Sequence, residues 1–294
     1  GEVVGIKDPN SFRPLCLGKL NGHYILASES CALDLLDAAF IRELEPGEIV
    51  IIDEEGVRSI FPHRETSRTL CIFEYIYFAR PDSTIFGKNV YMTRKAHGRR
   101  LAREAPVDAD LVMPFPDSGN YAALGYAEAS GLPFDLAMIR NHYVGRTFIQ
   151  PSQSMRDFGV RMKLNPVKEL LQGKDIIIIE DSIIRGTTAR TRVKTVRELG
   201  VNRIHMRISC PPHKYPCHYG IDFSTKGELI AARKTIPELE AFLGLDSLHY
   251  LSQEGLLEAT GVELPENNFC KACFDGCYPV SFDENLSKAC LENR

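Results

Sequence analysis

Residues 175–188, DIIIIEDSIIRGTT, decide the fold of this chain. Their four consecutive isoleucines are typical of a short strand buried on both faces, as in a parallel sheet covered by helices. Two carboxylates follow where the apolar run ends, and the helical pattern Val193, Val196, Leu199 then runs to a glycine stop at Gly200. The sequence therefore predicts a strand, a turn and a helix, with the turn at the carboxyl end of the strand, where open α/β sheets bind ligands.

The turn combines two ways of binding a ligand. Backbone N–H groups in a Ser/Gly/Thr loop that leads into a helix favour an anion, most often phosphate. The adjacent carboxylates Glu180 and Asp181 can accept hydrogen bonds from vicinal hydroxyls or bind a hard cation through oxygen. Together these features predict a sugar phosphate site. The alternative is a capped helix after a buried strand, with surface acids that only favour the helix N-terminus; the Ser-x-x-Arg-Gly-Thr-Thr pattern favours the ligand site.

Composition and charge narrow the class of protein. The 294 residues are 44% hydrophobic, which is enough to build one large domain or two ordinary ones. The formal net charge of −4 gives no indication of a nucleic-acid surface. We expect a soluble, cytoplasmic protein, because no apolar run reaches membrane-span length and the chain does not open with a signal-peptide pattern. Neither a Walker A sequence nor G-x-G-x-x-G occurs at the turn, which disfavours nucleotide hydrolysis and dinucleotide binding.

A second apolar strand, LVMPFPDSG at residues 111–119, also ends in a loop of small residues. A helix with small residues follows it, and its composition permits close packing on the sheet. Alone, Asp117-Ser-Gly is more often an ordinary turn with a helix N-cap. Its combination with the turn at residues 180–188 makes it a second candidate ligand loop.

The segment RNHYVGRTFIQPSQ, residues 140–153, continues to Asn165 and is long, basic and poor in helical period before Ser154. Loops of this length in compact domains usually cover a site or are disordered. Its cations could meet a negatively charged ligand while closure excludes water. The alternative is an exposed, solvated loop.

Nine cysteines in a reducing compartment suggest metal ligands or buried thiols before disulfides. Cys270-Lys-Ala-Cys273 is a C-x-x-C pair outside a thioredoxin-like context, so redox exchange is disfavoured. Two thiolates need further ligands, and spacing leaves zinc and an iron–sulfur cluster equally open. Cys16, Cys31 and Cys210 are interpreted as buried core thiols.

Five motifs resemble one enzyme family. IIEDSIIRGTT, at residues 178–188, resembles the phosphoribosyl pyrophosphate (PRPP) motif of type I phosphoribosyltransferases, in the form typical of the glutamine PRPP amidotransferases. The first acid is more often Asp in that family and is Glu180 here. The Pro-Asp-Ser-Gly loop resembles the family's pyrophosphate loop, and YVGRTFIQP at residues 143–151 resembles its flexible catalytic loop. The segments KDPNSFRPL, residues 7–15, and ASESCALD, residues 27–34, resemble the closing part of the family's glutaminase domain. A further match occurs at CIFEYIYFARPDS, residues 71–83.

The resemblance implies an α/β fold. We expect a type I phosphoribosyltransferase fold, a parallel sheet with helices on both faces, preceded by the end of an Ntn-hydrolase-type glutaminase domain of the α+β class. Residues 1–60 are assigned to the C-terminal remnant of the glutaminase domain, 61–245 to the phosphoribosyltransferase domain, and 246–294 to C-terminal helices and the cysteine segment. Within these, a helix near Ala32 to Phe40 and another from Leu248 to Ala259 are expected.

The implied reaction is that of an amidophosphoribosyltransferase, a pentosyltransferase. PRPP, glutamine and water give 5-phosphoribosylamine, glutamate and pyrophosphate, the first step of purine biosynthesis. The family's glutaminase nucleophile is an N-terminal cysteine, whereas this chain begins at Gly1, so we expect a fragment or processed product that depends on ammonia at most. The resemblance also implies a homotetramer inhibited by purine nucleotides. The alternative is a non-catalytic PRPP or nucleotide sensor of the same fold.

The resemblance also implies roles for individual residues. Arg146 and Lys163 of the loop and Asp181 are expected to serve catalysis, and Ser118, Glu180 and Asp181 to bind Mg²⁺. The expected ligands of a 4Fe-4S cluster are Cys71, Cys217, Cys270 and Cys273, with Cys277 as a possible substitute. The expected PRPP-binding residues are Asp117, Ser118, Gly119, Glu180, Asp181, Ser182, Arg185, Gly186, Thr187 and Thr188.

Overall fold

The structure is a computed structural model that describes residues 1–62, 67–141, 164–221, 225–263 and 268–282. These residues group into two compact units. The first unit comprises Gly1–Thr93, Lys214–Leu229 and Thr260–Arg294, and the second comprises Arg94–His213 and Ile230–Ala259. The assignment of segments 1–60, 61–245 and 246–294 to separate domains stays a prediction.

The first unit contains two three-stranded antiparallel sheets, with the strand orders β1-β5-β6 and β3-β2-β4. The strands are β1 (Val3–Ile6), β2 (Cys16–Leu20), β3 (His23–Ala27), β4 (Ala39–Glu43), β5 (Ile49–Asp53) and β6 (Gly56–Ile60).

The helix expected from Ala32 to Phe40 is shorter than predicted. Helix α1 spans Ser30–Asp34, and Phe40 belongs to β4. The chain leaves the helix because Asp37 adopts a φ of 55°, in the left-handed region that helices do not use. Two small cores hold the sheets, and each contains a residue of β2, Cys16 or Leu17. Cys16 and Cys31 are buried, as expected for core thiols.

Short elements complete the first unit. They include β7 (Leu70–Cys71), a π-helical turn (Glu74–Phe78), β8 (Thr84–Ile85), β9 (Lys88–Asn89) and the start of α2 (Val90–Glu104).

The second unit is built on a four-stranded parallel sheet with the order β10-β13-β14-β15. Its isoleucines at 176–179 are fully buried, so the strand with two covered faces is confirmed. The elements of this unit are β10 (Leu111–Pro114), α3 (Asn120–Ser130), β11 (Met138–Arg140), β12 (Leu164–Pro166), α4 (Lys168–Leu171), β13 (Asp175–Glu180), α5 (Thr187–Arg197), β14 (Arg203–Ile208), α6 (Ile236–Leu243), β15 (Ser247–Tyr250) and α7 (Gln253–Thr260).

Helices pack on this sheet through close backbone contacts. Helix α3 packs against β10 and β13, and α6 packs against β15 and α5. Two glycines allow α2 and α3 to cross closely: a Cβ at Gly98 would lie 1.8 Å from the carbonyl oxygen of Ala122, and one at Gly125 would lie 1.9 Å from that of Lys95. Any larger residue at either position must push the two helices apart.

Two features of the sheet differ from the sequence expectation. The helix expected from Leu248 to Ala259 is instead strand β15 followed by α7, because a short apolar run does not distinguish the two periods. The alternating strand β14 also buries its polar face: His205 and Arg207 are only 5% and 2% exposed. The Arg207 guanidinium donates to the carbonyl of Ala105, at the C-terminal end of α2, where helix carbonyls lack partners.

Candidate functional site

The turn predicted to bind phosphate, residues 180–188, lies at the carboxyl end of β13 and is called the phosphate turn below. Its backbone is fixed on both sides: the N–H of Ser209 donates to the carbonyl of Glu180, and that of Ile230 to Ile184. Gly186 caps α5 with a φ of 74°, a left-handed conformation that favours glycine. The first residues of α5 are exposed, so its N–H groups can meet an anion.

The two carboxylates of the turn have different partners. Both Glu180 and Asp181 are buried. Ser118 donates its hydroxyl to Oε1 of Glu180 at 3.2 Å, and the Arg192 guanidinium donates through Nη1 to Oε2 at 3.0 Å. Asp181 accepts a hydrogen bond from the Ser182 hydroxyl at 2.7 Å. Glu180 therefore joins three elements, whereas Asp181 accepts its hydrogen bond from a residue of the turn itself.

The environment of Glu180 opposes its ionisation. Burial is the main cause that raises the pKa of Glu180 well above its ordinary value, and the neighbouring Asp181 charge acts in the same direction. Arg192 and Ser118 act in the opposite direction. A raised pKa at a buried acid is typical of ligand sites and also of ion-pair networks.

The second predicted loop is held directly beside the phosphate turn. Phe115 donates its N–H to the carbonyl of Ile179, and Gly119 donates to Phe115. The Pro116–Asp117 peptide bond is cis. Asp117 forms an ion pair with Arg140, and Ser118 reaches Glu180. The structure thus brings together the two loops that the sequence named.

The basic segment after β11 is bounded by a short antiparallel ribbon. Residues Met138–Arg140 pair with Leu164–Pro166, so the two ends of the segment lie together. Arg146 and Lys163 lie outside the described residues, and their proposed roles stay predictions.

Sequence reasoning missed Arg192. A signal was present, because Ala189, Val193 and Val196 form the buried face of α5 and Arg192 falls within that spacing. A charged residue on a buried helix face needs a partner, and Glu180 supplies it.

The four predicted cluster ligands, called the cysteine group below, all lie in the first unit. Cys71 on β7 is the register partner of Cys270 on β16 (Phe269–Cys270). The carbonyl of Cys273, in helix α8 (Ala272–Asp275), accepts the N–H of Lys214 at 3.0 Å. This contact brings the segment that contains Cys217 alongside the C-x-x-C pair.

Several of these thiols influence the ionisation of Tyr278 or of one another. Burial raises the pKa of Tyr278 to about 12, and Cys217, Cys273 and Cys270 add to that effect. Burial likewise raises the pKa of Cys71 to about 12, and Cys270 contributes to it. None of the four thiols forms a disulfide. Among the residues that the structure describes, no three His, Cys, Asp or Glu side chains are placed to bind one metal ion.

Known proteins resemble the chain over almost its whole length. It is 50% identical to amidophosphoribosyltransferase from Synechocystis sp. and 49% identical to the Bacillus subtilis enzyme of the same name, with 99% and 95% of this chain covered. The chain is a homologue of the amidophosphoribosyltransferases. It spans 59% of the length of each of these two relatives. No protein-family model matches it.

Solved amidophosphoribosyltransferase structures share the fold. The glutamine PRPP amidotransferase of B. subtilis, complexed with ADP and GMP, superimposes with a TM-score of 0.90 at 47% identity. The match covers 97% of this chain and 63% of that one. In the part of the chain that the structure describes, no helix is long and apolar enough to cross a membrane. The related enzyme of Glycine max is named chloroplastic, and the cytoplasmic location expected here stays a prediction.

Proposed function

We propose that this chain carries the PRPP-transferring part of an amidophosphoribosyltransferase. The observation that supports this most directly is the joining of the two predicted loops: Ser118 of the Pro-Asp-Ser-Gly loop donates to Glu180 of the phosphate turn. The proposal includes a type I phosphoribosyltransferase fold for the parallel sheet. It also makes residues 1–60, which form the two antiparallel sheets, the end of a glutaminase domain.

The phosphate turn binds two chemically different parts of the substrate, the 5′-phosphate and the ribose hydroxyls. The 5′-phosphate lies at residues 182–188, where exposed N–H groups begin α5. The ribose hydroxyls donate to Glu180 and Asp181, since carboxyl oxygens accept hydrogen bonds from hydroxyl groups. The pyrophosphate lies at the loop formed by Asp117, Ser118 and Gly119.

Mg²⁺ suits the same oxygen atoms. The ion prefers oxygen ligands and is usually held by one or two carboxylates together with substrate phosphates. Ser118, Glu180 and Asp181 supply a hydroxyl and two carboxylates: Ser118 donates to Glu180, and Asp181 is the next residue along the chain. When bound, the ion would neutralise charge on the pyrophosphate as it departs.

Catalysis then consists of positioning and charge stabilisation, without a covalent enzyme intermediate. Ammonia attacks C1 of the ribose, the bond from C1 to the pyrophosphate oxygen breaks, and the attacking nitrogen loses a proton. Arg146 and Lys163 of the basic segment are assigned to the pyrophosphate charge. Asp181 is assigned to the ribose hydroxyls and the metal.

The cysteine group is proposed to hold a 4Fe-4S cluster. Four thiols that form no disulfide come together from three segments, and among the described residues no three are placed around one ion. A cluster binds one thiolate at each iron, so it accepts thiols that surround a larger body than a zinc ion. Its role here is structural, because it ties Cys71, Cys217 and the C-x-x-C segment together.

A mixture of PRPP, Mg²⁺ and ammonium tests the transfer step. Ammonium is chosen because the transfer can then be measured without a glutaminase step. We expect pyrophosphate release that depends on all three components. Mg²⁺-dependent PRPP binding without any release would favour the sensor over the enzyme, and absence of binding would refute the site.

The family resemblance also supports two proposals about assembly and regulation. A homotetramer and inhibition by purine nucleotides are carried from the family resemblance, and a related structure is complexed with ADP and GMP. Sedimentation of the purified chain and nucleotide titration of the ammonium assay would test them.

A further inference from the structure

We infer that Arg192 is a positioning residue for the PRPP site: it binds one oxygen of Glu180 and thereby directs the other oxygen to Ser118 and the ligand. This inference rests on the proposed function. Arg192 itself does not contact the proposed substrate. It acts through a carboxylate that does.

The two oxygens of Glu180 are bound from different sides. Oε2 accepts the Arg192 Nη1 hydrogen bond at 3.0 Å, and Oε1 accepts the Ser118 hydroxyl at 3.2 Å. The Glu180 side chain is only 8% exposed and that of Arg192 is 22% exposed. Two bonds on opposite oxygens fix the plane of the carboxylate, because rotation would break one of them.

Arg192 is itself held in place. Its guanidinium lies 5.2 Å from the ring centre of Phe115, which is fully buried. Phe115 is in turn bonded through its N–H to the carbonyl of Ile179 on β13. The Nε atom of Arg192 is buried without a partner among the described residues, so the Glu180 carboxylate is the contact that compensates its desolvation.

Removal of Arg192 has a specific consequence. Glu180 would be left with a neutral partner, Ser118, beside the like charge of Asp181, and its side chain would be free to turn. Mg²⁺ demands nearly octahedral oxygen ligands at fixed distances, so a mobile carboxylate binds it less well. Residues that orient metal ligands typically contribute roughly 10–100-fold in metal affinity.

Three variants test the assignment. Arg192→Leu removes the charge and the donor, and Arg192→Lys keeps the charge but loses the planar donor geometry. Lys194→Leu is the matched control, because Lys194 is on the same helix and pairs with Glu198 at the surface, where it is 73% exposed. The measurement is the rise in PRPP bound to the whole chain as Mg²⁺ and PRPP are added, determined by equilibrium dialysis, which reports binding without any turnover.

We expect Arg192→Leu to need roughly tenfold or more PRPP and Mg²⁺ for the half-maximal rise. Arg192→Lys should lie between that variant and the wild type, and Lys194→Leu should match the wild type. In the ammonium assay, KM for PRPP should rise more than kcat falls. This split distinguishes positioning from a purely structural ion pair, which would lower the unfolding temperature of the free protein and leave the midpoint of the titration unchanged.

Each failure has a separate meaning. If the wild type shows no rise with PRPP and Mg²⁺, the proposed function fails. If the wild type responds and Arg192→Leu has the same midpoint, the inference about Arg192 is wrong. Should Arg192→Leu not fold, Arg192→Lys decides alone: a midpoint at least threefold higher is expected, and an unchanged midpoint overturns the inference.

Discussion

The phosphate turn and the cysteine group are built by opposite means. The turn follows a six-residue strand in the middle of a parallel sheet, with β10 and β14 bonded on either side. The cysteine group depends on two strands of two residues each and a helix of four residues. The strand that carries Glu180 has fully buried isoleucines, whereas Cys217 lies outside any helix or strand.

The two sites therefore obtain their order from different sources. Regular elements with a buried core fix side chains before any ligand binds, so the phosphate turn is preorganised. Two-residue strands contribute little stability of their own. We therefore expect the cysteine group to gain much of its order from the proposed cluster, because metal binding contributes directly to folding in such sites.

The largest effect is expected from Cys270→Ser. Loss of a ligand of the proposed cluster should prevent iron binding and lower the free energy of unfolding of the first unit by about 4 kcal/mol, the linkage expected for a ligand present at about 1,000 times its Kd. Iron analysis and urea denaturation measure the two effects. Cys31→Ser is the matched control, since Cys31 is buried in the same unit but lies outside the group. Unchanged stability after complete iron loss would show that the cysteine group does not depend on metal binding for its order.

The next effect concerns Asp181→Asn. The substitution keeps size and hydrogen-bonding atoms but removes the charge, so ammonium-dependent pyrophosphate release should fall roughly 10²–10³-fold. The unfolding temperature should change little, because the sheet supplies the order of the turn. Asp175→Asn, at the opposite end of β13, is the control with an exposed ion pair and should retain activity. Full activity of Asp181→Asn would refute the assigned role.

Gly98→Ala tests the helix packing that supports the sheet, because it disturbs the contact of α2 with α3 and leaves the sequence of the phosphate turn unchanged. The new methyl group would meet the backbone of Ala122, so α2 and α3 must separate, at a cost of roughly 1–3 kcal/mol in unfolding free energy. The control is Ala96→Ser, a conservative substitution on the same helix. Gly131→Ala would not serve as a control, because Gly131 has a positive φ. Urea denaturation measures the change, and a stability equal to that of the wild type would show that the helices can separate without cost.

The smallest effect is a pH dependence of the second unit. Burial is the main cause that lowers the pKa of His97 to about 3, and the nearby Arg94 adds to it. An unfolded histidine takes up its proton near pH 6.5, whereas folded His97 does so near 3. Stability is therefore complete above 6.5 and decreases as the pH falls towards 3.

Between pH 7.5 and 5.5 this residue should account for a loss of about 1 kcal/mol in unfolding free energy. His97→Leu should reduce the difference between denaturation curves at these two pH values by that amount. Equal losses in variant and wild type would show that His97 does not titrate as its burial requires.

Local sequence features predicted the framework of the proposed site. The isoleucine run, the small residues of the turn and the Pro-Asp-Ser-Gly loop each act through short-range geometry, and the structure places them at adjoining strand ends. Short apolar runs were less informative, as Leu248 shows: it belongs to a strand because β14 is there to pair with it.

The strand, turn and helix of residues 175–197 follow from local sequence, since strand burial, turn chemistry and helix spacing are all encoded within a few residues. The pairing of Arg192 with Glu180, and the position of Cys71 beside Cys270 on β7 and β16, depend on how distant parts of the chain pack together. These contacts form between elements that are far apart in the sequence. A buried charge or thiol pairs with the group that packing places next to it, and spacing along the chain does not define that neighbour.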